Sequence, residues 1–190
     1  MTAEKLICVY CSSSDALEPA FFEAAAALGA SIALSGYGLI YGGGKTGLMG
    51  AVARAVRAEG GTVVGVIPEL LLPQHYDACS ETVTTRDLRE RKAIMEARAD
   101  AFVGMAGGFG TLEEVLEVLT LKQLHFHTKP IVLLNTLGYY DHLLRLFEHL
   151  YEQRFAKPAY RQLYHVAADA PAALGYIQSY EPPTIPAKWF

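Results

Sequence analysis

The amino-acid sequence predicts an α/β fold: a Rossmann-like, doubly wound parallel sheet in a single domain. Short, nearly continuous apolar runs alternate with helical patterns along the 190 residues, which is typical of a parallel sheet covered by helices on both faces. Two glycine-rich segments each follow an apolar run and open a helix. Because such sheets bind ligands beyond the carboxyl ends of their strands, both segments are expected at the ligand-binding edge.

The elements follow from runs bounded by glycine, proline and polar residues. Strands are predicted at 6–10, 39–41, 62–67, 82–84, 101–105, 130–134 and 164–166. Helices are predicted at 21–33, 48–59, 87–99, 111–124, 140–154 and 170–180. We expect a loop at 68–81 and an extended tail at 181–190, so that residues 1–190 form one nucleotide-binding domain.

Composition and charge exclude several classes of protein. The formal net charge is −4 and no basic stripe is present, which argues against a nucleic-acid partner. The uncharged stretch 24–44 is long enough to span a bilayer, but its glycines and polar residues indicate a helix, a turn, a strand and a glycine loop. No signal-peptide pattern opens the chain, so we expect a cytoplasmic protein without a membrane partner.

The three cysteines, Cys8, Cys11 and Cys79, are odd in number and irregularly spaced, which argues against a disulfide framework. Cys8 and Cys11 form a C-x-x-C pattern, but residues three apart on a strand point to opposite faces. Buried or pocket-lining thiols are therefore expected rather than a redox or zinc site.

The first glycine segment, residues 42–50 (GGGKTGLMG), suits close approach of backbone N–H groups to an oxyanion. A Walker A loop is excluded because Leu39 stands where the motif needs its first glycine. The dinucleotide fingerprint is met, with Glu69 near the distance of the ribose-binding acid, but the segment follows the second strand rather than the first. Phosphate binding is the favoured interpretation, and a tight turn without a ligand is the alternative.

The second glycine segment, residues 106–114 (AGGFGTLEE), carries carboxylates at the same edge. Thr111 and Glu114 match a capping box, T-x-x-E, in which Glu114 would only satisfy backbone N–H groups. Alternatively, a carboxylate beside a helix N-terminus can activate water or stabilise an oxocarbenium-like centre. A phosphate cradle beside such a carboxylate would suit hydrolysis of a ribosyl phosphate.

The predicted helix before this segment is basic, with five Arg or Lys residues between positions 86 and 98. One interpretation is a solvated face on which Lys92 and Glu96 form an i,i+4 pair. The other places Arg91 and Lys92 over the ligand, where Arg offers a fixed fork of donors and Lys a point charge.

Taken in order, these segments resemble the LOG ("Lonely guy") family, early members of which were labelled lysine decarboxylases. The family's central motif is P-G-G-x-G-T-x-x-E, with an Arg-Lys pair about twenty residues upstream. The matching segments here are 9–14 (VYCSSS), 42–50, Arg91-Lys92, 106–114, Gln123-Leu124, Lys129-Pro130 and Gly138-Tyr139-Tyr140. The resemblance covers roughly residues 5 to 180.

The resemblance implies hydrolysis of the N-glycosidic bond of adenosine 5′-monophosphate or an N6-modified form. The products would be a free adenine-type base and ribose 5-phosphate, with no organic cofactor or catalytic metal, in a protein that is usually a homodimer. It implies Arg91 and Glu114 as the catalytic pair. Candidate residues for binding the nucleoside monophosphate are Ser13, Gly43, Gly44, Met49, His75, Lys92, Gly107, Gly108, Phe109, Gly110, Thr111, Leu112, Glu113 and Thr120.

Three positions depart from the family pattern. Ala106 replaces the motif's proline, which relaxes backbone φ without removing a chemical group, and Ser12 replaces a glycine after the first strand. His75 falls where plant-type members carry a glutamate. The choice between a prenylated adenine nucleotide and plain AMP therefore stays open.

Other functions must be weighed against this one. A non-catalytic carrier of a nucleotide or nucleotide-linked cofactor is the main alternative, and such carriers need not keep Arg91 and Glu114. A pyridoxal-phosphate decarboxylase would need a Schiff-base lysine and its partners, for which no lysine has the context. A metal hydrolase built on His125 and His127 lacks a carboxylate at ligand spacing.

Overall fold

A computed structural model describes residues 5–186 of the chain. Within this range seven strands form one sheet: β1 (Leu6–Tyr10), β2 (Gly38–Tyr41), β3 (Val63–Pro68), β4 (Glu81–Thr85), β5 (Ala101–Gly104), β6 (Ile131–Leu134) and β7 (His165–Ala167). The helices are α1 (Pro19–Leu34), α2 (Gly47–Ala58), α3 (Leu88–Arg98), α4 (Phe109–Gln123), α5 (Asp141–Glu152) and α6 (Ala170–Gln178). The end of the predicted tail, residues 187–190, lies outside the described residues.

The strand order is β4-β3-β2-β1-β5-β6-β7 and every neighbouring pair is parallel. The predicted Rossmann-like, doubly wound sheet is therefore confirmed. The chain winds outward from β1 to β4 and then in the other direction from β5 to β7. This reversal opens a crevice at the carboxyl ends of β1 and β5, where Tyr10 pairs with Gly104.

Helices cover both faces of the sheet. One apolar cluster joins alternate strand residues such as Val9 to α1, α2 and α6, and the other joins their neighbours, such as Tyr10, to α3, α4 and α5. Cys11 belongs to the first cluster and Cys8 to the second. The prediction that these thiols are buried on opposite faces is confirmed.

Several boundaries differ from the predictions. Helix α1 begins at Pro19 rather than residue 21, because proline suits the first helical position. The predicted loop 68–81 contains a 3₁₀ helix at Glu69–Gln74. The uncharged stretch 24–44 forms the end of α1, a turn, β2 and a glycine loop, as expected. None of the helices between residues 5 and 186 has both the length and the apolar character needed to cross a bilayer.

Candidate active site

A cavity of about 310 Å³ opens at the switch point between β1 and β5. Three segments distant in sequence form its wall: the loop after β1, helix α3 and the start of α4. The lining residues are Cys11, Ser12, Ser13, Ser14, Arg91, Gly108, Gly110, Thr111 and Glu114. The structure thus brings together six residues that the sequence singled out: Ser13, Arg91, Gly108, Gly110, Thr111 and Glu114.

Arg91 and Glu114 form a buried ion pair at the cavity. The Arg91 guanidinium donates to Glu114 Oε1 at 2.9 Å, and the side chains are 13% and 12% exposed. Arg91 also lies directly against the Cα of Gly42, where an added Cβ would collide with the guanidinium. Among the residues that the structure describes, none accepts a hydrogen bond from the buried Nε of Arg91. Arg91 therefore carries one buried donor that no described group satisfies.

The protonation of Glu114 is tuned by its surroundings. Burial raises the pKa of this carboxyl to about 7, against the opposing effect of Arg91. Lys92 also lowers this pKa, whereas Glu113 and Glu117 raise it. A carboxyl that titrates near neutrality can give or take a proton during a reaction at physiological pH.

The predicted capping box of Thr111 and Glu114 is wrong. Helix α4 begins at Phe109, with Gly108 as its N-cap and no side-chain capping bond. Thr111 lies inside the first turn and is buried. Because the glycine-rich backbone enters the helix two residues earlier than predicted, Glu114 lies in the second turn and bonds Arg91 instead.

The first turn of α4 offers unused donors. In the described part of the chain, no group accepts from the N–H of Gly108, Phe109, Gly110 or Thr111, and a helix N-terminus carries partial positive charge. Ser13 and Ser14 line the same cavity as Gly108, Gly110 and Thr111. This end of the cavity is suited to an anion such as a phosphate group.

The first glycine segment makes contacts within the chain at the start of α2. The Gly47 N–H at the start of α2 donates to Asp15 Oδ1 at 2.8 Å, and the Met49 N–H donates to the Ser12 carbonyl at 3.2 Å. The N-terminus of α2 therefore supports the loop after β1, which is a structural role. Phosphate binding by this segment, the interpretation favoured from sequence, stays a prediction.

Gly43, Gly44 and Met49 do not line the cavity. The Gly43 carbonyl accepts from the Tyr76 N–H at 2.9 Å, and Gly44 forms an antiparallel bridge with His75. The Met49 side chain packs against Gly44. Gly43 and Gly44 hold the loop after β3 in place, and the absence of a side chain lets the two segments of the chain approach closely.

The expectation that His75 faces the ligand is not met within this chain. Its Nε2 lies 2.8 Å from Thr82 Oγ1 and its Nδ1 lies 3.7 Å from Asp77 Oδ1. The ring thus contacts Thr82 of β4, and His75 is not among the residues that line the 310 Å³ cavity.

Lys92 does not line the cavity either. One residue after Arg91, its side chain projects about 100° further round the helix, where Nζ contacts Glu113 and lies 2.6 Å from Glu117. These partners on α4 replace the predicted pair with Glu96. Burial and the neighbouring Glu117 raise the pKa of Glu96 to about 7.

Of the remaining candidates, Gly107 lies in the loop before α4, and the others lie on α4 outside the cavity. Phe109 is 94% exposed, and it borders a shallow surface groove with Leu112 and Glu113. Thr120 is nine residues beyond Thr111, roughly 13 Å along the helix, and its hydroxyl donates to the Leu116 carbonyl at 2.7 Å. Within one chain, these residues are not brought to the cavity.

Three residues of the cavity wall, Cys11, Ser12 and Ser14, were not among the predicted binding residues, although Cys11 was expected as a buried or pocket-lining thiol and Ser12 was noted as a departure after the first strand. The signal was available, because they directly follow the first strand of a doubly wound sheet, where the crevice opens. Burial raises the pKa of the Cys11 thiol well above its usual range. Cys11 is therefore a neutral part of the wall rather than a thiolate.

His125 and His127, the pair weighed and disfavoured as metal ligands, have other surroundings in the structure. His127 Nε2 bonds the Val118 carbonyl at 3.0 Å, and its Nδ1 accepts from the Lys129 N–H at 3.2 Å. Both ring nitrogens are thus occupied. Among residues 5–186 no group of three or more His, Cys, Asp or Glu side chains is arranged to hold a metal ion.

A doubly wound parallel sheet with a polar cavity at its switch point is the arrangement of Rossmann-like nucleotide-binding proteins. A family model described as "Possible lysine decarboxylase" matches residues 49–177. The chain is 42% identical over 180 residues to cytokinin riboside 5′-monophosphate phosphoribohydrolase LOG7 of Arabidopsis thaliana, covering 94% of this chain and 83% of that protein. The chain belongs to the LOG family, as its motifs predicted.

Two further proteins are similar. A probable cytokinin riboside 5′-monophosphate phosphoribohydrolase, LOGL9 of Oryza sativa subsp. japonica, is 43% identical over 178 residues, which are 93% of this chain and 78% of that protein. The structure of the molybdenum cofactor carrier protein of Chlamydomonas reinhardtii matches with a TM-score of 0.71 and 27% identity, covering 92% of this chain and 96% of that chain.

Proposed function

We propose that this protein hydrolyses the N-glycosidic bond of adenosine 5′-monophosphate or an N6-modified form of it. The observation that carries the proposal is the buried Arg91–Glu114 pair, which lies in one cavity with the free N-terminus of α4. A phosphate-binding helix end and a titratable carboxyl are the two parts that hydrolysis of a ribosyl phosphate requires. The relatives named as phosphoribohydrolases support the same substrate class.

Each part of the site has a role in this reaction. The N–H groups at the start of α4 bind the phosphate, and the Ser13 hydroxyl lies near them. Glu114 takes a proton from the attacking water as the new C1′–O bond forms and the bond from C1′ to the base breaks. The base leaves with the electron pair of that bond and takes up the proton from Glu114, so the neutral base and ribose 5-phosphate are released and the carboxylate is restored. Its negative charge also stabilises the oxocarbenium-like centre. Arg91 keeps Glu114 oriented through the hydrogen bond from its guanidinium.

We also propose that the protein is a homodimer that buries the outer face of α4. This face is unusually apolar for solvent exposure. Its exposed or partly exposed apolar members are Phe109, Leu112, Leu116 and Leu121, and exposed Leu124 and Phe126 follow directly after the helix. A Phe109→Ser, Leu116→Ser double variant should shift light-scattering mass from two chains to one, whereas an unchanged mass would refute this interface.

A carrier function is the second candidate, because the molybdenum cofactor carrier of Chlamydomonas reinhardtii is 27% identical and similar in structure. A carrier needs a cavity and an anion site but no titrating carboxyl. The pKa of Glu114 near 7 and its pairing with Arg91 therefore favour catalysis.

The test follows base release by chromatography from AMP and from isopentenyladenosine 5′-monophosphate. Wild-type protein should release base, and Glu114→Gln and Arg91→Ala should each lose activity by about 10²-fold or more. Glu148→Gln, an exposed carboxylate paired with Arg161 on another face, is the matched control. Tight AMP binding without base release from either nucleotide would refute hydrolysis and favour the carrier.

A further inference from the structure

The loop between β5 and α4 is held by three consecutive backbone carbonyls, each of which accepts a hydrogen bond from a different donor. In chain order, Met105 accepts from the Tyr140 hydroxyl at 2.7 Å, Ala106 from the Ser12 N–H at 3.1 Å, and Gly107 from the Tyr139 hydroxyl. The loop has therefore almost no freedom to rotate its peptide planes. Two of the three donors are neighbouring tyrosines that precede α5.

These tyrosines are themselves fixed. The ring of Tyr139 packs edge-on against Tyr140, with centroids 4.9 Å apart, and against Phe21 of α1 at 6.4 Å. The side-chain oxygen of Asn135 accepts from the Tyr140 N–H at 2.7 Å, and its amide donates to Asp141 at 2.8 Å. Tyr139 does not line the cavity, so it holds the loop from behind.

The contact with Gly107 sets the direction of the next N–H. The Gly107 carbonyl and the Gly108 N–H belong to one planar trans peptide, in which they point opposite ways. Gly108 lines the cavity, and a Cβ built there would meet no atom within 4 Å. No side chain of its own therefore fixes this peptide, and the Tyr139 hydroxyl is the group that does.

We propose that Tyr139 is a positioning residue for phosphate binding: its hydroxyl orients the Gly107–Gly108 peptide so that the Gly108 N–H is available to the phosphate of the ligand. This role rests on the proposed function for the identity of the ligand, a nucleoside monophosphate. It concerns binding alone, and so it can be measured without turnover.

The experiment compares Tyr139→Phe with wild-type protein by calorimetry, using AMP, ribose 5-phosphate and adenosine. Loss of one hydrogen bond should weaken AMP and ribose 5-phosphate by about five- to tenfold and leave adenosine, which has no phosphate, unchanged. In AMP hydrolysis the loss should appear in KM rather than kcat. Tyr37→Phe, which removes a hydroxyl from a half-buried tyrosine before β2, should bind all three as wild type does.

A second variant tests the same role in case Tyr139→Phe does not fold. Phe21→Leu keeps the Tyr139 hydroxyl but removes the edge contact that holds its ring, so it should show a smaller loss of the same selectivity. Equal weakening of AMP and adenosine, or no weakening in either variant, would overturn the positioning role. So would wild-type protein that binds neither phosphorylated ligand.

The outcomes separate the two proposals. Wild-type protein that binds AMP but releases no base refutes the phosphoribohydrolase, while a selective loss in Tyr139→Phe still supports the positioning role. Base release by the wild type, together with equal weakening of AMP and adenosine in Tyr139→Phe, supports the phosphoribohydrolase and refutes the positioning role.

Discussion

The Arg91 guanidinium lies 2.9 Å from the Glu114 carboxylate, although the two residues are 23 positions apart and belong to different helices. An ion pair normally lowers the pKa of its acid. Here burial outweighs the cation, and the pKa of Glu114 is raised to about 7. The pair therefore holds a carboxyl that changes its charge near neutral pH, at the place where the cavity opens.

Activity should rise with pH through about 7, because the proposed role of Glu114 requires the ionised carboxylate. Lys92→Met removes a cation that lowers this pKa, so the midpoint of kcat/KM should move to higher pH. Glu117→Gln removes an anion that raises it, so the midpoint should move to lower pH. The measurement is kcat/KM for AMP against pH in all three proteins. Shifts in the same direction would contradict this electrostatic account.

Acid should destabilise the fold through His127. Burial lowers the pKa of this imidazole to about 4, from an ordinary value near 6.5. Between these values the unfolded chain binds more protons than the folded one, so the free energy of unfolding falls as pH falls from 6.5 toward 4. Urea unfolding at two pH values should show a smaller acid loss for His127→Gln than for wild type. His149→Gln, an exposed histidine, should behave as wild type, and an equal effect of both variants would refute this assignment.

Much of the fold could be predicted because it depends on local pattern. Apolar runs of strand length alternate with helical segments, and the glycine segments after β2 and β5 mark the edge where ligands bind. The position of Arg91 and Glu114 at one cavity followed from a family resemblance, since no local rule joins residues on α3 and α4. The T-x-x-E pattern was misleading, because Gly108 leaves no side-chain signal for an N-cap.

The unpredicted features are contacts between distant segments. His75 forms a backbone bridge with Gly44, 31 residues earlier, and does not line the cavity. Tyr139 reaches Gly107 across 32 residues. Neither contact leaves a periodic pattern or a characteristic spacing in the amino-acid sequence, because each depends on how loops at the sheet edge pack against one another.

Two helical glycines should respond oppositely to alanine. A Cβ at Gly29 would lie 2.5 Å from the Val52 carbonyl oxygen, where α1 packs closely on α2, so Gly29→Ala should cost about 1–3 kcal/mol of stability. Gly175 in α6 has open space around it, and Gly175→Ala should stabilise by up to about 1 kcal/mol. Chemical unfolding of both variants tests the difference. A stable Gly29→Ala protein would mean that the two helices can separate without loss.

Lys122 should destabilise the fold at neutral pH. Its side chain is 2% exposed, and Nζ donates to the Leu163 carbonyl at 3.0 Å and lies 4.8 Å from the centre of the Tyr180 ring. Among the described residues no carboxylate pairs with it. Burial therefore lowers its pKa to about 8, from the ordinary value of 10.5.

The direction in which stability changes with pH follows from the number of protons that the folded and unfolded states bind. Below pH 8 both states are protonated and the folded state carries the full cost of a buried charge. Between about pH 8 and 10.5 the unfolded chain binds more protons, so stability rises with pH. Lys122→Met should match or exceed wild type at pH 7, and its advantage should shrink by pH 9.5, whereas exposed Lys45→Met should show no such change. A large loss at pH 7 that does not vary with pH would mean that the contacts with Leu163 and Tyr180 outweigh the cost of burial.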